Sequence, residues 1–200
     1  MLTIHTEKCE GLTIKIIADE GAENPFKRWD GEPDIIGWHR RYDFNTRKED
    51  KNKEPSEFLR EAKEQGYIVK PLYMYNHSGI GFSTGNSSYP FNCPWDSGQY
   101  GFIFWTKEKI EQGQGKAFAK RLTAKKRAML EGQLDNAVSL LCDYVSGNVW
   151  GFVVEDDEGE QIDSCWGFYG DYERPGECLD EARRMAKHAA QRIKEEKKGA

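Results

Sequence analysis

The stretch PLYMYNHSGIGFSTGNSSYPFNCPWDSGQYGFIFW, residues 71–105, decides how the chain folds. Its apolar and aromatic runs alternate with segments rich in glycine, asparagine and proline, which is the pattern of strands joined by turns. Asn76–Gly79 supplies a tight turn, so the first two runs form a predicted β-hairpin. Pro71 has no backbone N–H and indicates an edge position or a bulge. The predicted strands are residues 67–75, 80–84 and 100–105.

The connection at residues 85–99 is longer than a simple link requires, and long loops inside compact domains are often functional. If the strands on either side of it run parallel, the loop is a crossover and both strands begin at one end of the sheet. His77 and Asp96 then become neighbours. If the two strands run antiparallel, a five-residue strand separates His77 from Cys93 by about 17 Å. The topology of this loop therefore decides whether the polar residues meet.

The same loop holds residue types that serve in catalysis. Cys93, His77 and Asp96 can act as a nucleophile, a base and an orienting carboxylate. The structural alternative is that Cys93 and Trp95 anchor the loop to the core, while Asp96 makes local turn bonds. We take His77, Asp96 and Cys93 as the catalytic candidates, and we expect Cys93 to pack rather than to attack.

A second candidate segment is WHRRYDF, residues 38–44, which follows DEGAENPFKRWD at 19–30. Two arginines bracketed by aromatics suit the binding of a phosphate or carboxylate. The alternative is an internal network of arginines and carboxylates that ties the two segments together. In a strand, Arg40 and Arg41 would point to opposite faces, so only one would enter a given pocket. The predicted ligand-binding residues are Asp19, Glu23, Asp30, His39, Arg40, Arg41, Ser97 and Gln99.

These two stretches suggest one shared site. We predict that NHSG and CPWDSGQ form its rim and that WHRRY forms the opposite wall. In this arrangement His77 acts as an acid, a base or a hydrogen-bond donor, Asp96 orients it, and Arg40 or Arg41 binds the anion. The sequence has no HxH, HExxH or DxDxDG spacing, so no metal site is predicted, and it indicates no particular cofactor.

The remaining pattern predicts an α+β fold with a mainly antiparallel sheet and helices packed on one face. A helix at 123–145 has a buried stripe at helical spacing, formed by Leu130, Leu134, Ala137, Val138, Leu141 and Val145. The hairpins at 67–84 and 148–169 are expected in one sheet, within a single domain spanning residues 1–200. The other predicted elements are strands at 12–19 and 34–44, a helix capped by Ser56, a flexible polar loop at 45–56, and a C-terminal helix with a basic tail at 177–200.

Composition limits the cellular setting. No apolar run approaches the roughly 20 residues that span a bilayer, and the N-terminus lacks the pattern of a secretory signal. The five cysteines are scattered without CxxC spacing, which favours free thiols in a reducing compartment. We therefore expect a cytoplasmic protein without a membrane partner. Basic residues collect at 107–127 and acidic residues at 155–181, so the charge either steers a partner or lies on two solvated faces.

Three blocks together resemble a family of small uncharacterised proteins of phages, prophages and plasmids. The blocks are AENPFKRWDG…GWHRRYDF, PLYMYNHSGI…FNCPWDSGQYGFIFWTKEKI and GNVWGFVV, and the resemblance covers most of residues 15–170. The long connection found in many relatives between HRRY and the strand before HSG is shorter here. The resemblance implies a viral or mobile-element source, and hence the cytoplasm of a host cell. It implies no reaction.

These observations favour an accessory protein that binds a host protein or other host factor, a nucleic acid or a phosphorylated metabolite, in a role such as countering host defence. The first alternative is a small hydrolase or transferase that uses a His/Asp/Arg site or a Cys/His/Asp site. The second is an interaction module without a pocket. A pocket that joins WHRRY to HSG and WDSGQ favours an enzyme or a metabolite binder, whereas a flat charged face favours a macromolecular inhibitor.

Overall fold

The computed structural model describes residues 2–47, 49–85, 89–93 and 95–199. Parts of the predicted loops and tail, namely Lys48, residues 86–88, Pro94 and Ala200, lie outside the described residues. The strands are β1 (Thr3–Cys9), β2 (Leu12–Ala18), β3 (Asp34–Gly37), β4 (Ile68–Asn76), β5 (Ile80–Ser83), β6 (Ser97–Trp105), β7 (Val149–Glu155) and β8 (Gln161–Tyr169). The α-helices are α1 (Pro25–Arg28), α2 (Pro55–Glu64), α3 (Lys107–Gln114), α4 (Lys116–Ala119), α5 (Ala124–Ser146) and α6 (Cys178–Gly199), with a 3-10 helix at Glu49–Asn52.

These elements form two antiparallel sheets, which confirms the α+β class. The chain divides into two compact units, one from residues 1–22 and 147–200 and the other from residues 23–146. The single domain expected from the sequence stays a prediction. No helix in the described parts of the chain has the length and apolar character needed to cross a membrane.

The first unit is a four-stranded sheet in the order β1-β2-β7-β8, covered by α6. Alternate residues of β2, such as Ile14 and Ile16, are fully buried against small residues of α6, including Ala182 and Ala186. The turn between β7 and β8 is held by the side chain of Asp156. Asp156 Oδ1 accepts hydrogen bonds from two backbone N–H groups two and four residues later, each at 2.9 Å.

The second unit carries a four-stranded sheet in the order β3-β6-β4-β5. β5 and β6 lie on either side of β4, and both are antiparallel to it, so they run parallel to each other. The connection between them is therefore a crossover, the first of the two topologies considered above. Pro71 lies in the part of β4 that pairs only with β6, next to a bulge at Leu72/Tyr73, as its missing N–H predicts.

Helix α5 buries the predicted stripe against this second sheet. Leu134 and Leu141 are fully buried, and only the last member of the stripe, Val145, is partly exposed. Phe102 and Phe104 alternate with Ile103 along β6 and pack with α2 instead. Because alternate residues of a strand face opposite sides, α2 covers part of the face opposite α5.

The predicted single sheet is wrong. The hairpin at 148–169 pairs through β7 with β2, whereas the hairpin at 67–84 pairs with β6 in the other sheet. The alternation of apolar and polar residues identifies strands and their buried faces, but it does not identify their partners.

Two local predictions are also corrected. Ser56 does not cap α2, because Pro55 occupies the first turn, where its missing N–H costs nothing, and the cap position falls on Glu54. The polar segment 45–56 is not a loose loop tip. Its Asp50 is buried and pairs with Lys53 at 3.1 Å, and the indole of Trp38 donates to the carbonyl of Lys53 at 2.8 Å.

A charged cluster joins α5 to the hairpin and makes stability depend on pH. Asp135 accepts hydrogen bonds from Lys70 at 2.7 Å and from Thr84 at 2.6 Å. Burial acts to raise the pKa of Asp135, but these bonds outweigh it and lower the pKa. A carboxyl whose pKa is lowered by folding stabilises the fold above its ordinary pKa of 3.8, and the stabilisation is lost as the pH falls further.

We therefore expect Asp135→Asn to destabilise the protein near neutral pH and to matter progressively less in acid. Urea unfolding at a series of pH values measures this difference. In a Lys70→Met background, which removes the ammonium partner, the pH dependence of the difference should weaken. A difference between wild type and Asp135→Asn that is constant across the acid range would contradict the assignment.

Candidate functional site

The two polar motifs meet at one end of the second sheet. β4 ends at Asn76 and its neighbour β6 begins at Ser97, with Tyr75 opposite Ser97 in the pairing register. The backbone N–H of Asn76 donates to the carbonyl of Asp96 at 2.7 Å. The crossover returns the chain to this edge, so NHSG and WDSGQ lie side by side.

Asp96 lies between the histidine and the cysteine. Its Oδ2 is 3.2 Å from Nδ1 of His77 and also accepts a hydrogen bond from the Cys93 thiol at 3.3 Å. The Cys93 thiol therefore donates to the carboxylate and not to the imidazole. A nucleophilic cysteine of the predicted kind needs the imidazole, its base, within hydrogen-bond reach. The imidazole of His77 is 64% exposed, so most of the ring is open to solvent.

The crossover loop is anchored by aromatic residues other than the predicted one. Tyr75 of β4 stacks on Phe91 with ring centroids 5.6 Å apart, and Tyr73 contacts Tyr89 edge-on at 5.2 Å. Trp95 is 93% exposed and does not anchor the loop to the core. The prediction for Trp95 is wrong because the motif shows that an aromatic is present but not which way it points.

Polar bonds close the end of this loop. The hydroxyl of Ser97 donates to the carbonyl of Cys93, and the hydroxyl of Tyr89 donates to the Ser97 oxygen at 2.6 Å. Together with the hydrogen bond from the Cys93 thiol to Asp96, these contacts hold Cys93, Asp96 and Ser97 close to one another.

The opposite wall is a loop rather than the predicted strand. β3 ends at Gly37, and the buried side chain of Asn45 closes the chain back onto it. Asn45 Oδ1 accepts from the N–H of Gly37 at 2.7 Å, and Asn45 Nδ2 donates to the Gly37 carbonyl at 3.1 Å. The side-chain amide of Asn45 thus makes the two backbone hydrogen bonds that a neighbouring strand would make. Residues 38–44 form the loop between Gly37 and Asn45.

His39 shapes this loop. Its Nδ1 accepts hydrogen bonds from the N–H groups of Arg41 at 3.1 Å and Tyr42 at 3.2 Å. In the neutral ring the proton is then on Nε2, which can donate to a ligand. Because the chain turns here, the alternation expected of a strand does not apply, and Arg40 and Arg41 line the same cavity.

Tyr100 of β6 holds the loop against the sheet. Its hydroxyl accepts from the N–H of Phe44 at 2.8 Å, and its ring lies nearly parallel to His39 at 6.3 Å. Burial raises the pKa of Tyr100 to about 12, so the phenol stays protonated. The ring occupies the space above Gly37, where an added Cβ would lie 2.1 Å from it.

These walls enclose two adjoining cavities, which together we call the cleft. The first, of about 230 Å³, is lined by His39, Met74, Asn76, Trp95, Asp96, Ser97, Gly98, Gln99 and Tyr100. The second, of about 410 Å³, is lined by Trp38, His39, Arg40, Arg41, Asn76 and Gln99. His39, Asn76 and Gln99 belong to both, so residues of WHRRY and WDSGQ and the first residue of NHSG, Asn76, converge on one cleft. His77 and Cys93 are not among the residues that line either cavity.

The predicted acidic residues lie elsewhere. Glu23 pairs with Arg28 within its own segment, and Asp30 is exposed in a turn. Asp19 belongs to the first unit, where its side chain accepts from the N–H of Gly21 at 3.2 Å. Neither Arg40 nor Arg41 forms an ion pair with any residue in the described ranges, so the proposed arginine–carboxylate network does not include them.

Sequence reasoning missed several residues that line the cleft. The sequence pattern places Asn76 only in a turn, and Tyr100 and Met74 only in buried strands. Their position beside the motifs was the available signal, because side chains at the ends of adjacent strands share one edge. Within the described parts of the chain, no three histidine, cysteine, aspartate or glutamate side chains are grouped to hold a metal ion.

Comparisons of the chain with protein-family models, with curated proteins and with solved structures return no match. Function is therefore argued from the cleft itself.

Proposed function

We propose that the chain is an accessory protein of a phage or mobile element and that its cleft binds a phosphorylated small molecule of the host cell. The observation that carries this proposal is the convergence of Arg40 and Arg41, without ion-pair partners among the described residues, on a concave site. Guanidinium groups form paired hydrogen bonds with phosphate oxygens. Sequestering such a metabolite in the host cytoplasm is a route by which the protein would counter host defence.

The polar residues around the arginines suit binding. Gln99 donates one amide hydrogen to the carbonyl of Gly101 at 3.2 Å and keeps its oxygen for a ligand. The side-chain amide of Asn76 has no hydrogen-bond partner among the described residues, and Nε2 of His39 adds a donor. A cleft with a few convergent polar groups is the usual form of a small-molecule site.

The His77–Asp96 contact supports a second candidate, a small hydrolase or transferase. A carboxylate 3.2 Å from an imidazole nitrogen can orient the ring for acid or base catalysis. Cys93 has no such arrangement, because its thiol donates to Asp96 rather than to the imidazole. In this alternative His77 moves a proton at the rim while the arginines hold the anion.

A macromolecular partner finds support at another surface of the second unit. Six exposed basic side chains there form no ion pair with a described residue, namely Lys107, Lys116, Lys120, Arg121, Lys125 and Arg127. This surface suits a nucleic acid or an acidic host protein. The cleft favours the small molecule, because it is concave and combines its cationic groups with neutral donors and acceptors.

The double variant Arg40→Ala/Arg41→Ala tests the proposal. Hydrogen bonds to charged groups contribute about 1.5–3 kcal/mol each, so we expect at least a ~10-fold loss of affinity for ribose 5-phosphate. Isothermal titration calorimetry measures the affinity. Arg60→Ala, which removes an exposed arginine of α2, is the matched control and should leave the affinity unchanged.

The same samples separate binding from catalysis. Phosphorus NMR of the recovered ligand should show intact ribose 5-phosphate, whereas free phosphate would favour the hydrolase. Equal affinities of the wild type and the double variant, or a wild type that binds neither ribose 5-phosphate nor any other phosphorylated probe, would overturn the proposed function.

A further inference from the structure

We infer that the phosphorylated ligand is a nucleotide whose base stacks on Trp95. This inference rests on the proposed function and adds the chemical class of the ligand. It starts from the exposure of Trp95, which is 93% accessible although it lines the cleft.

Such exposure is unusual for this residue type. Tryptophan is highly buried on average, and the next most exposed tryptophan of the described residues, Trp29, is 43% accessible. An indole left uncovered at the mouth of a polar cleft provides a flat apolar surface that no described aromatic ring covers. Nucleobases stack on such side chains whatever their identity, because every base has a π-face.

The residues that follow Trp95 are anchored by hydrogen bonds. On one side of Trp95 the Cys93 carbonyl accepts from the Ser97 hydroxyl, and on the other Asp96 contacts His77 and accepts from the Cys93 thiol. The backbone N–H of Asn76 also holds the carbonyl of Asp96 at 2.7 Å. Asp96 and Ser97, which follow Trp95, are therefore held in place before any ligand arrives, which lowers the entropy cost of stacking.

The order of chemical groups along the cleft matches that of a nucleotide. Trp95 lies in the cavity that contains Ser97, and the arginines lie in the adjoining cavity. Asn76 and Gln99 line both cavities and offer hydrogen-bond donors and acceptors between the two ends. A planar base, a hydroxyl-bearing sugar and a phosphate would meet an aromatic surface, amides and guanidinium groups in that order.

Other phosphorylated compounds fit less of the cleft. Inorganic phosphate or a sugar phosphate satisfies the arginines and the amides but leaves the indole in water. The two adjoining volumes, of about 230 and 410 Å³, together fall in the range of small-molecule sites and leave space for a ring beyond the sugar phosphate.

The experiment compares AMP, ribose 5-phosphate and adenosine as probes in calorimetric titrations. Wild-type protein should bind AMP more tightly than either fragment. Because alanine substitution of a stacking aromatic weakens binding about 5- to 150-fold per base, Trp95→Ala should reduce the AMP affinity by about 10-fold or more. The affinity for ribose 5-phosphate should not change, and Trp95→Phe should keep most of the AMP affinity.

Fluorescence provides a second readout with a matched control. AMP should quench tryptophan emission in the wild type and in Trp29→Phe, and the quenching should disappear in Trp95→Phe. Circular dichroism of each variant confirms that the fold is retained.

The outcomes separate the two proposals. If AMP and ribose 5-phosphate bind equally and Trp95→Ala changes neither, the nucleotide is overturned while the proposed function stands. If Trp95→Ala weakens both probes alike, the residue acts through the loop and the stacking is overturned. If the wild type binds no phosphorylated probe, the proposed function itself fails.

Discussion

Replacing Gly101 with alanine is expected to disrupt the second unit. The added methyl carbon would lie 1.9 Å from the carbonyl oxygen of Ile36 and 2.6 Å from Cα of Gly37, distances that atoms do not adopt. Both contacts are with the backbone of β3, so no side-chain rotation can relieve them. The variant has to separate β3 from β6, which removes ladder hydrogen bonds and opens the core around Ile35.

Overpacking a well-packed interior costs about 1–3 kcal/mol and occasionally more. Since the obstacle here is backbone, we expect a loss of about 3 kcal/mol or more, a large part of the 5–15 kcal/mol that stabilises a typical protein. Urea unfolding measures the change. Gly98→Ala is the control in the same strand, because an added Cβ there meets nothing within 4 Å.

An unfolding midpoint of Gly101→Ala equal to that of Gly98→Ala would show that β3 does not lie this close to β6. The register that pairs Gly37 with Gly101 would then be wrong. The position of Tyr100 above Gly37, and with it the wall of the cleft, depends on the same register.

Most of the strands and the main helix were predictable because their patterns are local, but the sequence analysis predicts no strand at β1, Thr3–Cys9. The stripe on α5 repeats at helical spacing, and the Asp156 turn follows from a side chain that bonds its own backbone. Pairing is not local. β2 and β7 are far apart in the chain, and nothing in their alternation distinguishes one apolar partner strand from another.

The candidate site likewise has one part that the sequence could predict and one part that it could not. The contact between His77 and Asp96 follows from the crossover, and the sequence limited that question to two topologies. The shared cavity of Arg40 and Arg41 could not be derived, because it depends on the strand ending at Gly37. That end is set by one buried amide, Asn45, in a segment whose composition indicates an exposed loop.

Asn45→Ala is the second change with a large expected effect. The asparagine amide is the hydrogen-bond partner of both the N–H and the carbonyl of Gly37, at 2.7 and 3.1 Å. Asn45 is 2% exposed, so alanine would leave two backbone groups in the interior without that partner. Each unsatisfied group costs about 1–3 kcal/mol, so for the two groups we expect a loss of about 2–6 kcal/mol in the free energy of unfolding.

The same change should weaken ligand binding more than stability alone explains. Without the amide, the loop at 38–44 loses the contact that closes its base, and Arg40 and Arg41 are no longer held on the cleft. Calorimetry with ribose 5-phosphate, at a temperature where the variant is still folded, should therefore show at least a ~10-fold loss if the guanidinium contacts are lost. Asn136→Ala, at an exposed position of α5, should alter neither property. If Asn45→Ala lowers stability while the folded variant keeps full affinity, the arginines are positioned by contacts other than this amide. His39, whose ring accepts a hydrogen bond from the backbone N–H of Arg41, would then be the residue that determines the conformation of the loop.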